Sequence, residues 1–234
     1  MTQDALLHFT WLDAVGLALL WIGWLVIGRV VEHPPKGRPS VSVIMRGYRR
    51  DWMRQMVTRT PRLFDGNVVN SLRQATSFYV SATMLAIGGG LALLGKGDQL
   101  ASLARDFTAT PTPEVVWDVK ILVTILFVAD AFLRFVWAHR LFGYCAIMMA
   151  AVPNDIDAPD CYPRAEQAAT VNIQAAKNFN AALRSIYFAL ACLPWLIGPV
   201  PLIVAVIGTL YVLWRREFNS SSRRAMLARV PDSV

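Results

Sequence analysis

One stretch limits what this chain can become. Pro113 to Ala151 is a long apolar run with no glycine until Gly143, and it carries Asp130 and Arg134 deep inside it. Thr112-Pro113-Glu114 reads as a helix start: Thr caps, Pro suits the first helical position, and Glu suits the positive end of the dipole. No breaker follows before Pro153. At 1.5 Å per residue the predicted helix is about 55 Å long, against a hydrocarbon core of about 30 Å. One end should therefore leave the membrane, and the apolar span is placed at residues 121–142. Asp130 and Arg134 stand i,i+4, which puts both on one face as an ion pair. A charge at the bilayer centre costs about 2.5 kcal/mol or more, so such groups face protein or water. Two readings stay open. Asp130 lines an ion or proton pathway, or the pair neutralises itself and pins helices together.

The rest of the composition agrees with a membrane setting. Of 234 residues, 55% are hydrophobic and only 17% charged, and the mean hydropathy is +0.41. That leaves room for one membrane domain over residues 1–234 and no sizeable soluble domain. The net charge of +7 does not point to nucleic acid. The positive residues sit beside predicted spans, where anionic lipid and the orientation rule account for them. Three widely spaced cysteines, Cys145, Cys161 and Cys192, form neither a CxxC pair nor a disulfide framework.

Taken in order, the chain predicts five spans. The first is residues 11–31, an uncleaved anchor with the N-terminus outside, because it lacks a basic leader and a small-residue cleavage site. Residues 32–66 then carry eight arginines and lysines against three acids, which places them in the cytoplasm. Within them Met45, Tyr48, Trp52, Met53 and Met56 recur at helical spacing. This predicts a basic amphipathic helix on the inner leaflet, touching it through Arg46, Arg49, Arg50, Trp52 and Arg54, with partner docking as the alternative use. Asp65-Gly66-Asn67 reads as a turn and cap before a second long helix over 67–94, whose apolar half, 77–94, is a span. Ala82, Ala86, Gly89 and Gly90 supply small residues for close helix packing.

The outer loop, Gly95 to Pro113, has Lys96 and Arg105 against Asp98 and Asp106, with Glu114 just after it, so it lacks the positive excess of the inner side. Asp118 and Lys120 lie at the outer mouth of the organising helix. After it, Asp155, Asp157 and Asp160 form an acidic turn without the Gly and distal Glu of a calcium loop. An alanine-rich cytoplasmic helix over 163–180 runs on into a span at 179–197, with Arg184 near its entry. Gly198-Pro199-Val200-Pro201 then reads as a turn, and a short fifth span at 200–214 would need tilt or snorkelling. Five spans return the basic tail, from Arg215 to Arg229, to the cytoplasm. The alternative of four spans satisfies every loop but that tail.

Several segments together carry a resemblance. They are Arg50-Asp51-Trp52-Met53, the run from Ala86 to Gly95, Phe179-Asn180 with Arg184, Pro194 to Pro199, and Arg215-Arg216-Glu217-Phe218. In these the chain resembles an uncharacterised family of bacterial and plant membrane proteins, the domain of unknown function five-nine-nine. The resemblance implies an integral membrane protein and supplies no activity and no catalytic residue.

No nucleotide, metal or hydrolase motif is present, so neither an enzyme nor a cofactor is expected. His33 and His139 read as solvated interfacial residues rather than as haem ligands. Two function classes remain. One is a homo-oligomeric channel or transporter-like protein of the bacterial inner membrane, with Asp130, Arg134, Arg184 and Lys120 as its intramembrane polar set. The other is a non-catalytic accessory or scaffold subunit of a membrane complex. Expected partners are anionic inner-leaflet lipids, further copies of the chain, and a membrane-complex partner.

Overall fold

The structure, a computed structural model, describes residues 9–96 and 113–228. Thr112, most of the outer loop including Asp98, Arg105 and Asp106, and the last tail arginine, Arg229, lie outside the described residues. Seven α-helices and no strand occur among the described residues: α1 (Trp11–Glu32), α2 (Val41–Val57), α3 (Leu63–Leu91), α4 (Glu114–Ala150), α5 (Cys161–Cys192), α6 (Pro199–Phe218) and α7 (Ser221–Leu227). A short 3-10 turn, Leu193–Leu196, follows α5. The expected all-helical class is what the chain adopts. Four helical stretches, Trp11–Glu32, Glu114–Ala150, Cys161–Leu196 and Pro199–Leu227, are long and apolar enough to cross a membrane, which is the signature of a membrane protein.

Local chemistry sets the helix ends. Asp13 folds back on Thr10 at the start of α1: the Thr10 N–H and hydroxyl both donate to Asp13 Oδ2, at 2.9 and 2.7 Å, the carboxylate half of a capping box. His33-Pro34-Pro35 stops α1, because a residue before proline avoids the helical region. Ser40 caps α2 by accepting the Val43 N–H at 3.2 Å. Its hydroxyl also donates to the Val31 carbonyl at 2.7 Å, which satisfies an orphan acceptor in the last turn of α1. α4 runs unbroken for 37 residues, as its sequence predicts.

Three boundaries differ from expectation. α3 begins at Leu63, so Asp65 and Gly66 lie inside its first turn and are not a turn before it. The Asp65 carboxylate suits the positive end of that helix, and Trp52 and Arg59 hold it there. α3 ends at Leu91, and a turn closes on Gly95, whose φ of +73° favours glycine. α6 is longer than the predicted fifth span. It continues through Arg215 and Arg216 to Phe218, 20 residues or about 30 Å, because basic side chains suit the negative helix end. The helical break at Gly198 separates it from α5, as the turn sequence predicts.

The chain divides into two compact units. One is Met1–Gly28, Val80–Leu133 and Ala181–Leu213; the other is Arg29–Tyr79, Arg134–Asn180 and Trp214–Val234. Every one of these boundaries between described residues falls inside a helix. In the first unit, helix packing is close where glycine allows it: a Cβ on Gly16 would lie 2.8 Å from Leu202, and one on Gly23 would lie 3.1 Å from Leu210. Trp21, Trp24, Phe127 and Phe188 form an aromatic group in the same unit, with Trp24 edge-on to Trp21 and Phe127 and only Phe127 and Phe188 stacked. The outward side chains are apolar, among them Ile22, Leu25, Leu122, Leu126, Val204 and Ile207. A soluble surface would not carry so many of them.

The second unit has an ordinary protein core. Met53, Met56 and Val57 of α2 are fully or almost fully buried against Val69, Cys145, Met149, Ala165 and Ala168. The alanines of α5 let it lie close to α2 and α4. Tyr79, Phe135 and Phe179 form a second aromatic group in the same unit.

Candidate functional site

Polar side chains gather in three places. In the first unit, Asp13 is 5% exposed and accepts the Trp195 indole N–H at 2.6 Å. Lys120 is 8% exposed, and its ammonium lies 5.6 Å from the Trp117 ring centre and 5.8 Å from that of Trp195. The cation thus rests between two indole faces. Beside it, Asp118 accepts the Gly95 N–H at 3.0 Å. Lys120, expected at an outer mouth, is a buried residue of the packed helices. The sequence singles out neither Asp13 nor Trp195 as its neighbours.

The second place, also in the first unit, is Asp130. Its Oδ2 accepts the Ser185 hydroxyl at 2.6 Å, and that hydroxyl oxygen accepts the Trp24 indole N–H at 3.1 Å. Arg184, the neighbour of Ser185 on α5, is 7% exposed. Arg134 lies one turn beyond Asp130 on α4 and belongs to the second unit. Ser185 and Trp24 escape sequence reasoning because nothing local links residues from three helices.

The third place is in the second unit. A cavity of about 290 Å³ opens among α1, α2, α5 and α6, lined by Glu32, Arg46, Arg49, Lys177, Arg216 and Glu217 with their neighbours. Arg46 pairs with Glu32 at 2.5 Å. Glu217 accepts the Ser42 N–H at 3.0 Å and its hydroxyl at 3.1 Å, close to the start of α2. Arg49 donates to the side-chain carbonyl of Asn172, whose amide reaches Cys145 Sγ at 3.4 Å. Burial pulls the Arg49 guanidinium below its ordinary pKa, although an arginine keeps its charge.

The residues predicted for the inner leaflet therefore make contacts within the chain. Arg50 and Arg54 reach Glu166 at 3.1 and 3.7 Å, half-exposed pairs of small energetic weight. Trp52 donates its indole N–H to the buried Asp65 at 2.7 Å. Of the small residues on α3, Gly90 packs against Ile125, whereas Ala82, Ala86 and Gly89 are exposed. His33 is exposed, and His139 Nδ1 is buried with no partner among the described residues. No three His, Cys, Asp or Glu side chains stand together among the described residues as a metal site needs.

A family model described as "Protein of unknown function, DUF599" matches residues 15–222. It is the family that the sequence segments resemble. No curated protein and no solved structure matches the chain.

Proposed function

The chain belongs to the DUF599 family, and from that premise we propose a multi-pass inner-membrane protein that acts without catalysis, as an accessory or scaffold subunit presenting its basic helical unit to the cytoplasm. One observation carries this reading: polar groups of the first unit, Asp13 and Lys120 buried and Asp130 part-buried, are spent on neighbours inside the chain. Asp13 serves Thr10 and Trp195, Lys120 rests between two indoles, and Asp130 holds Ser185. A conduction pathway needs such groups turned toward water. Here they tie helices together.

In this reading there are five spans, with the N-terminus outside and the C-terminus in the cytoplasm. The outward Phe78, Met84, Leu85 and Leu91 support a lipid setting for the second half of α3. The arginines of α2 and of the tail then share the inner side, where anionic lipid is their partner.

A homo-oligomeric channel is the second reading. It is favoured by Ala82, Ala86 and Gly89, which stand outward at spacings that suit close helix contact between copies. Native mass spectrometry after gentle detergent extraction, with ion flux in liposomes, separates the two. The scaffold reading expects a monomer or a stoichiometric partner, no flux, and poor assembly of Asp130→Asn. A symmetric homo-oligomer, whose flux changes in Asp130→Asn while assembly stays intact, would overturn it.

A further inference from the structure

The cavity of the second unit holds more positive charge than the fold consumes. Four cations, Arg46, Arg49, Lys177 and Arg216, face two carboxylates, Glu32 and Glu217, an excess of two positive charges. Both carboxylates already serve the fold, Glu32 with Arg46 and Glu217 with Ser42. Arg49 and Lys177 have no carboxylate partner among the described residues. The contact of Arg49 is a neutral amide, which leaves most of a planar five-donor fork unused. Holding a guanidinium partly out of water without an anion is costly, and this one is held at the edge of a cavity.

We propose that this cavity binds a phosphate group, gripped by Arg49 and Lys177. A phosphomonoester dianion neutralises the excess of two charges and a phosphodiester halves it, and a phosphate group of either kind bridges Arg49 and Lys177 through separate oxygens. The arginine fork matches phosphate oxygens bidentately. The volume of about 290 Å³ sits at the small end of ligand pockets, about 300–1,000 Å³. It suits a phosphate with a short extension rather than a dinucleotide. Two sources share this chemistry: the phosphodiester headgroup of an anionic lipid, and a soluble phosphate compound. The site goes beyond the scaffold reading and does not depend on it.

The test uses the full chain in phosphatidylcholine nanodiscs. In one arm inorganic phosphate is titrated by calorimetry. In the other, phosphatidylglycerol is added to the discs and the lipid retained per chain is counted after release. Lys177→Gln changes an exposed side chain and leaves the core alone; Arg49→Gln removes the fork. Lys36→Gln, an exposed lysine outside the cavity, is the control. The expected result is one saturable site per chain in at least one arm. Lys177→Gln weakens it about tenfold, the worth of one charge-assisted hydrogen bond, and Lys36→Gln leaves it unchanged. Saturation by inorganic phosphate identifies a soluble source, and retention of phosphatidylglycerol alone identifies a lipid. The proposal is overturned by binding in neither arm, by binding that survives both cavity variants, or by an equal loss in Lys36→Gln. None of these readouts is the native mass, so the scaffold reading stands or falls separately.

Discussion

The indole N–H of Trp195 meets the carboxylate of Asp13 at 2.6 Å, across 182 positions of sequence, and both side chains are buried. That bond ties the first turn of α1 to the 3-10 turn between α5 and α6. The same carboxylate accepts the N–H and the hydroxyl of Thr10. One acid thus starts one helix and anchors the connection between two others.

Trp195→Phe keeps the ring and removes the donor. A buried acceptor without its partner costs about 1–3 kcal/mol. The thermal midpoint in a fixed detergent should fall. Asp13→Asn, which keeps an acceptor oxygen, should fall less than Asp13→Ala. An unchanged midpoint in Trp195→Phe would show that the bond contributes nothing.

Asp65 should be the most sensitive carboxylate of the second unit. It is fully buried and accepts from Trp52 and Arg59. Asp65→Ala leaves the Trp52 donor without an acceptor, at about 1–3 kcal/mol. Arg59 is 40% exposed and turns to water, which keeps the loss below the about 3–5 kcal/mol of a fully buried broken pair. Trp52→Phe should cost less than Asp65→Ala when both are compared by chemical denaturation.

Gly90 and Gly89 are neighbours with opposite expectations. A Cβ on Gly90 would lie 2.8 Å from Ile125 Cγ1, and one on Gly89 meets nothing within 4 Å. Gly90→Ala should destabilise by about 1–3 kcal/mol through overpacking, and adding Ile125→Val should recover part of that loss. Gly89→Ala should be neutral or stabilising by up to about 1 kcal/mol, from helix propensity. Greater harm from Gly89→Ala than from Gly90→Ala would mean that the outward face is packed against another chain.

The three cysteines are buried at 0%, 0% and 1% exposure and form no disulfide. A small permeant maleimide should therefore label the native protein very slowly and all three thiols promptly after denaturation. Mass spectrometry counts the adducts. Rapid labelling of Cys145 in the native state would show that the packing of α2, α4 and α5 around it opens readily.

Much of the fold is legible in the linear chain because its signals are local. Apolar run length gives four of the five expected spans as helices that suit a membrane, α3 not being among them; Pro34-Pro35 and Gly198-Pro199 give the breaks, and the unbroken stretch after Pro113 gives the 37-residue α4. Segments such as Arg50-Asp51-Trp52-Met53 carry the family resemblance. Partner choice is not local. Spacing puts Asp130 and Arg134 on one face of their helix, but it does not reveal that the Asp130 Oδ2 accepts the hydroxyl of Ser185, 55 positions on. Met53 and Met56 have the spacing of a lipid-facing stripe, and the fold buries them in protein. An amphipathic pattern states that a face is apolar; only tertiary packing decides what covers it. The cavity of Arg49 and Lys177 follows the same rule, because its walls come from four helices and no single stretch of sequence contains it.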